Sequence, residues 1–122
     1  MTTTTIDLSA STMLNLTLRA ATGATLTVTV TQGGVAVNLT GATIKYYAAT
    51  TTPIVKTVGS GIVLTTPASG IFTLTFSASD TSGLNTKQSV EHECKITLLG
   101  GAMAMLWEGT LTLEQTLITA TT

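Results

Sequence analysis

The sequence predicts an all-β domain, built as a two-sheet sandwich in preference to a barrel, and three observations carry that prediction. Threonine fills roughly a quarter of the 122 positions, and its β-branched, half-polar side chain suits a pleated surface that is apolar on one side and wet on the other. Apolar residues alternate with polar ones in segment after segment, the period of a half-buried strand. Turn signals rich in Gly, Pro and Ser recur at a spacing of roughly ten residues, with no helical period of useful length.

The elements follow in order. Leu14, Leu16 and Leu18 share one face of a first strand, and Leu26, Val28 and Val30 one face of a second, joined through Ala21 to Ala24. Val35, Val37 and Leu39, then Ile44, Tyr46 and Ala48, mark two short strands broken at Gly41, where a bulge or corner is expected. "PIVKTV" and "GIVLTT" flank Gly59-Ser60-Gly61, and Phe72, Leu74 and Phe76 align after the Pro67 to Gly70 turn. Asp80 is placed to cap a single helical turn by accepting from nearby backbone N–H groups. Val90 to Leu99 and Ala102 to Trp107 form a closing pair around Gly100-Gly101, after which Gly109 is expected to bend the chain into "TLTLEQ".

Composition narrows the function. One domain is expected from the length. Charged residues make up only 9% of the chain against 43% hydrophobic, where a soluble domain typically carries about a quarter charged. The five Lys and Arg are scattered singly and the net charge is −1, so there is no basic stripe to neutralise phosphates and nucleic acid is not an expected partner. A single cysteine excludes an internal disulfide framework. "MTTTTIDLSAS" lacks the basic and apolar segments of a signal peptide, and no stretch is long enough to span a bilayer. Synthesis in a cytoplasm and no membrane partner are the corresponding expectations.

The rare reactive groups sit in "SVEHECKITL". Strand alternation places His92 and Cys94 on the side of Val90, Ile96 and Leu98, with Glu91, Glu93, Lys95 and Thr97 on the other. A zinc site needs about four ligands, and no second His or Cys exists. A Cys–His nucleophile pair needs hydrogen-bond contact, whereas same-face neighbours on a strand stand nearly 7 Å apart. Cys94 is therefore read as a small core hydrophobe and His92 as a partly buried residue with one satisfied polar tip. The six acids lie on separate elements, which leaves no placeable carboxylate pair. Four of the five aromatics fall on core faces and Tyr47 is the one exposed candidate. Met103, Met105 and Trp107 share a strand face and are read as core filling, with an adhesive contact face as the alternative. No enzymatic activity and no cofactor are expected.

The order of elements resembles the small Ig-like proteins encoded among virion genes of tailed bacteriophages, including the N-terminal domain of phage baseplate upper proteins. "LTVTVTQGGVAVNLTGATIKYYAA" looks like that family's strand, loop, "pvdLtGa" element and following strand. "GSGIVLTTPASGIFTLTFSASDTSGL" is similar to its next passage, and Leu106, Gly109, Leu111 and Leu113 stand at its closing "l.G.l.v" strand. The likeness spans about Leu16 to Leu117. Val90 to Cys94 depart from the aromatic run common there, and the absence of a long C-terminal segment implies a free-standing module.

The opening "MTTTT" is low-complexity with too little apolar area to order itself, so residues 1–11 are read as a flexible arm unless a neighbour holds them; the resemblance implies an Ig-like antiparallel β-sandwich over residues 12–117, with a C-terminal tail at 118–122. It also implies a non-enzymatic structural component of a phage virion, either a tail or baseplate fitting or a capsid decoration protein, present in many copies or as a homo-oligomer among other virion proteins. Met1, Thr2, Thr3, Thr4, Thr5 and Ile6 of the arm, Tyr47, and Leu117 and Ile118 near the C-terminus are the expected interaction residues. The alternative is an Ig-like adhesin or carbohydrate-binding module that attaches to a cell surface.

Overall fold

The computed structural model describes residues 2–9, 12–19, 23–50, 53–81 and 88–114. Among these residues ten strands follow in order: β1 (Thr2–Asp7), β2 (Leu16–Arg19), β3 (Ala24–Gln32), β4 (Val35–Ala36), β5 (Thr43–Ala48), β6 (Ile54–Val58), β7 (Gly61–Thr66), β8 (Ile71–Phe76), β9 (Gln88–Thr97) and β10 (Met103–Glu114). A 3₁₀ turn at Pro67–Ser69 precedes β8, and the four-residue helix α1 (Ala78–Thr81) follows it.

All ten strands belong to one sheet, in the order β1-β3-β8-β7-β6-β5-β9-β10-β2 with β4 paired to β3. The all-β class holds, but the two-sheet antiparallel sandwich does not: the sheet is continuous, mixed and curled into a half-barrel. β1 pairs with β3, β6 with β7 and β2 with β10 in parallel, and the remaining pairs are antiparallel. Alternation dictates which side of a strand is buried and is silent about its neighbour and direction, so the same pattern serves a sandwich or a curl.

The core lies inside the curl. Leu26, Val28 and Val30 on β3 face Phe72, Leu74 and Phe76 on β8, and Ile44, Tyr46 and Ala48 on β5 face Cys94 and Ile96 on β9, all buried. The curl brings the two regions together, with the Tyr46 ring edge-on to Phe76 at 5.4 Å and tilted against Trp107 at 6.2 Å. Aromatic pairs in such offset arrangements add to the gain from burial.

The N-terminal residues correct a second expectation. Thr2–Asp7 is not a flexible arm: it runs beside β3 from Thr2↔Leu26 to Asp7↔Thr31, and Ile6 is wholly buried. Counting apolar side chains over "MTTTT" misses the backbone ladder that a threonine run can complete along an existing strand. Asp7 then fastens the strand end. Its carboxylate accepts from Ser9, from the Thr31 hydroxyl at 3.0 Å and from the backbone N–H groups of Gly33 and Gly34 at 3.2 and 3.0 Å. Those donors hold its pKa far below the usual carboxylate range.

Glycines mark two close approaches. Gly70 has φ +76°, and a Cβ there would stand 2.5 Å from the Val30 carbonyl oxygen. Gly109 lies inside β10 and is no corner: the strand runs through it, and the segment at residues 12–15 crosses it so closely that a Cβ would strike the Leu14 backbone. That crossing is held by Leu14 N–H to Glu108 O at 3.0 Å and Thr110 N–H to Asn15 Oδ1 at 3.0 Å. Gly41, by contrast, does form the expected corner, with φ +75° ahead of β5. The strand expected over Val35 to Leu39 shrinks to Val35–Ala36. At α1 the carboxylate of Asp80 accepts from Ser77 N–H at 2.8 Å, as expected, and also pairs with Lys56 at 2.7 Å.

Candidate docking face

The outer face of β5, β9 and β10 gathers the side chains that the core leaves over. β5 turns Thr43, Lys45 and Tyr47 outward and β9 turns out Glu91, Glu93, Lys95 and Thr97, as period-two alternation demands. β10 breaks the alternation once. Its register against β9 slips between Met105 and Trp107, so Leu106 and Trp107 are both buried while Met103 and Met105 stay outside, 72% and 38% exposed. A bulge re-aims side chains in this way. The reading of Met103 and Met105 as core filling is thereby overturned; Trp107 alone of the three is core.

Register sorts the face into rows. Lys45, Lys95 and Met105 lie abreast, and the next row holds Val55 of β6, Tyr47, Glu93 and Glu108. Met13 is bridged to Glu108 and extends that second row, 72% exposed. Tyr47 is 39% exposed. A depression of about 450 Å³ opens beside it, lined by Met13, Ala49, Glu91, Glu93 and Glu108. The tertiary structure thus brings Glu108 of β10 beside Glu91 and Glu93, which share one face of β9. Nothing short of the β9–β10 register could have aligned Glu93 with Glu108.

Like charges therefore stand directly opposite one another twice, Lys45 against Lys95 and Glu93 against Glu108. Such cross-strand pairs are destabilising. Among the described residues the ion pair Lys56–Asp80 joins neither row.

His92 and Cys94 lie on the opposite side of β9, in the core. The His92 ring is saturated: Nε2 donates to the Leu14 carbonyl at 2.6 Å, and Nδ1 accepts from the Tyr46 hydroxyl at 2.9 Å. The Leu14 carbonyl, which can only accept, fixes a proton on Nε2, and the lowered pKa leaves Nδ1 to accept from the hydroxyl. Burial pulls its pKa below the ordinary value, opposed by the Leu14 carbonyl. Both polar tips are thus satisfied, one more than expected from the sequence. Burial also pushes the Cys94 thiol and the Tyr46 phenol well above their usual ranges, which keeps the thiol protonated and unreactive. Among the described residues no three His, Cys, Asp or Glu side chains are placed to share a metal ion.

The expected interaction residues divide. Thr3 and Thr5 are exposed on β1, which ends the sheet order, whereas Ile6 is core and offers no surface. Tyr47 lies in the charged face. Met1, Leu117 and Ile118 lie outside the described residues.

No family model and no curated protein matches the sequence. The fold is similar to that of the N-terminal domain of phage TP901-1 ORF48, with a TM-score of 0.54 and 11% identity, over 93% of this chain and 96% of that one. The likeness is one of fold.

Proposed function

We propose that this chain is a non-enzymatic structural component of a tailed-phage particle, working through protein contacts in the tail or baseplate. The observation that carries the reading is the fold shared with the N-terminal domain of phage TP901-1 ORF48 over nearly the whole of both chains. The outer face supports it: exposed Met13, Tyr47, Met103 and Met105 are residue types enriched where proteins meet. The buried chemistry supports it as well, since His92 is engaged at both nitrogens and Cys94 is shut in the core. The partners are other virion proteins, and the location is the assembled particle.

Mass spectrometry of purified particles, separated into heads and tails, tests the reading. The chain is expected in the tail fraction. Recovery with heads moves it to capsid decoration, and absence from both defeats the virion role.

An adhesin is the second reading, favoured by Tyr47 beside a carboxylate-lined depression, since an exposed aromatic stacks sugar rings and carboxylates accept their hydroxyls. That reading requires the isolated domain to bind intact bacteria or glycans, and requires Tyr47→Ala to abolish the binding.

A further inference from the structure

We infer that the outer face of β5, β9 and β10 pairs with the same face of a second copy of this chain, related by a two-fold axis running across the strands between the lysine row and the glutamate row. Two observations carry this. The face is divided by charge along the strand direction: Lys45 and Lys95 occupy one row, and Glu93 and Glu108 the next, with Glu91 beyond. Each row sets like charges opposite one another with no counter-charge in ion-pair contact among the described residues, an arrangement that costs the isolated chain stability and that opposite charges from a second chain would relieve.

A copy turned over about that axis exchanges the rows. Lys95 of each chain then lies over Glu93 of the other, and Lys45 over the ring of Tyr47, where an ammonium is attracted by the aromatic face. Exposed Met105 and Tyr47 supply apolar contact beside the charges. The interface is isologous, as a closed dimer requires. The face carries two lysines and three glutamates, so a second copy, which brings both signs, fits it better than a uniformly charged partner.

The patch is small. With strands about 4.8 Å apart and same-face residues roughly 6.7 Å apart, four strands by four rows cover on the order of 400 Å² per chain, about half of what a standard stable interface buries on each partner. The pair is accordingly weak in dilute solution, sensitive to salt, and suited to an assembly in which other contacts raise the local concentration. The inference deepens the reading of the chain as a repeated building block, yet its readout is separate. A chain that pairs but is missing from particles overturns only the virion role, and one incorporated but never paired overturns only this face.

The test is sedimentation equilibrium of the whole chain up to about 1 mM at low salt, with charge reversals at exposed positions. The wild type should form dimers that weaken in about 500 mM salt. Lys95→Glu and Glu93→Lys should each weaken self-association at least about tenfold. Mixed together, the two variants should form a heterodimer, because each then presents the charges the other lacks. The double variant Lys95→Glu/Glu93→Lys should self-associate again. Thermal melts check folding, and Lys95→Ala with Glu93→Ala provides a milder pair should a reversal unfold. A wild type that stays monomeric at low salt, single reversals that associate as well as wild type, or a mixture that fails to associate would each overturn the proposal.

Discussion

Tyr46, His92 and Leu14 form a buried relay in which every polar atom has one assigned task. Removing the phenol oxygen leaves His92 Nδ1 without its donor in a site closed to water, so Tyr46→Phe should cost about 1–3 kcal/mol, the usual penalty for a buried unsatisfied acceptor; urea unfolding reads it directly. The same ring makes stability depend on pH. Its pKa is depressed in the folded protein, so the contribution is fully present above about 6.5 and declines as pH falls below that value, when the unfolded chain takes up a proton that the folded chain refuses. The melting temperature should therefore drop between about pH 6.5 and 5, and His92→Gln, which keeps an acceptor and a donor, should flatten that slope. Trp107 shows the opposite balance. Its indole N–H has no partner among the described residues, a loss of roughly 1–3 kcal/mol. Burying about 200 Å² of ring at about 25 cal/mol per Å² stabilises by roughly 5 kcal/mol and outweighs it.

Among the elements, β1 differs most from what its composition suggests. A tail of threonines becomes a parallel edge strand because Ile6 anchors it in the core and Asp7 ties its end to the Gly33-Gly34 turn. Deleting Met1 to Asp7 should therefore destabilise the whole fold, measured as a lower denaturant midpoint; an unchanged midpoint would return the segment to the status of an arm. Asp7→Asn is the finer probe. It should speed hydrogen exchange at the Gly33 and Gly34 amides while leaving the core ladder protected. Since its donors, Ser9 first, hold the Asp7 pKa far below the carboxylate range, the clamp's contribution to stability is complete above about 4 and is lost progressively as pH falls from there through the depressed pKa of the folded protein. β10 carries the other local surprise, its bulge at Leu106. Gly109→Ala, by forcing a methyl group into the Leu14 backbone, should push the 12–15 crossing off the strand and free His92 Nε2 from its carbonyl. A fluorescence shift of Trp107, whose ring lies 6.3 Å from that of His92, would report it.

In the whole molecule, period-two alternation identified nearly every strand and most of the core in advance: Leu26, Val28 and Val30, Ile44, Tyr46 and Ala48, and Phe72, Leu74 and Phe76 are buried where the pattern places them. It also put Glu91, Glu93, Lys95 and Tyr47 outside and His92 and Cys94 inside. Alternation has this reach because side chains on a strand have only two directions, and one of them faces the core. Partnership between strands is another matter. That β1 lies along β3, that β10 slips one residue against β9, that Glu108 comes to face Glu93, and that a single sheet curls where two were expected all depend on contacts between residues far apart in the chain. Neighbouring residues carry no record of such pairings: the free energy that selects one register is shared between two segments, and it exists only once both are in place.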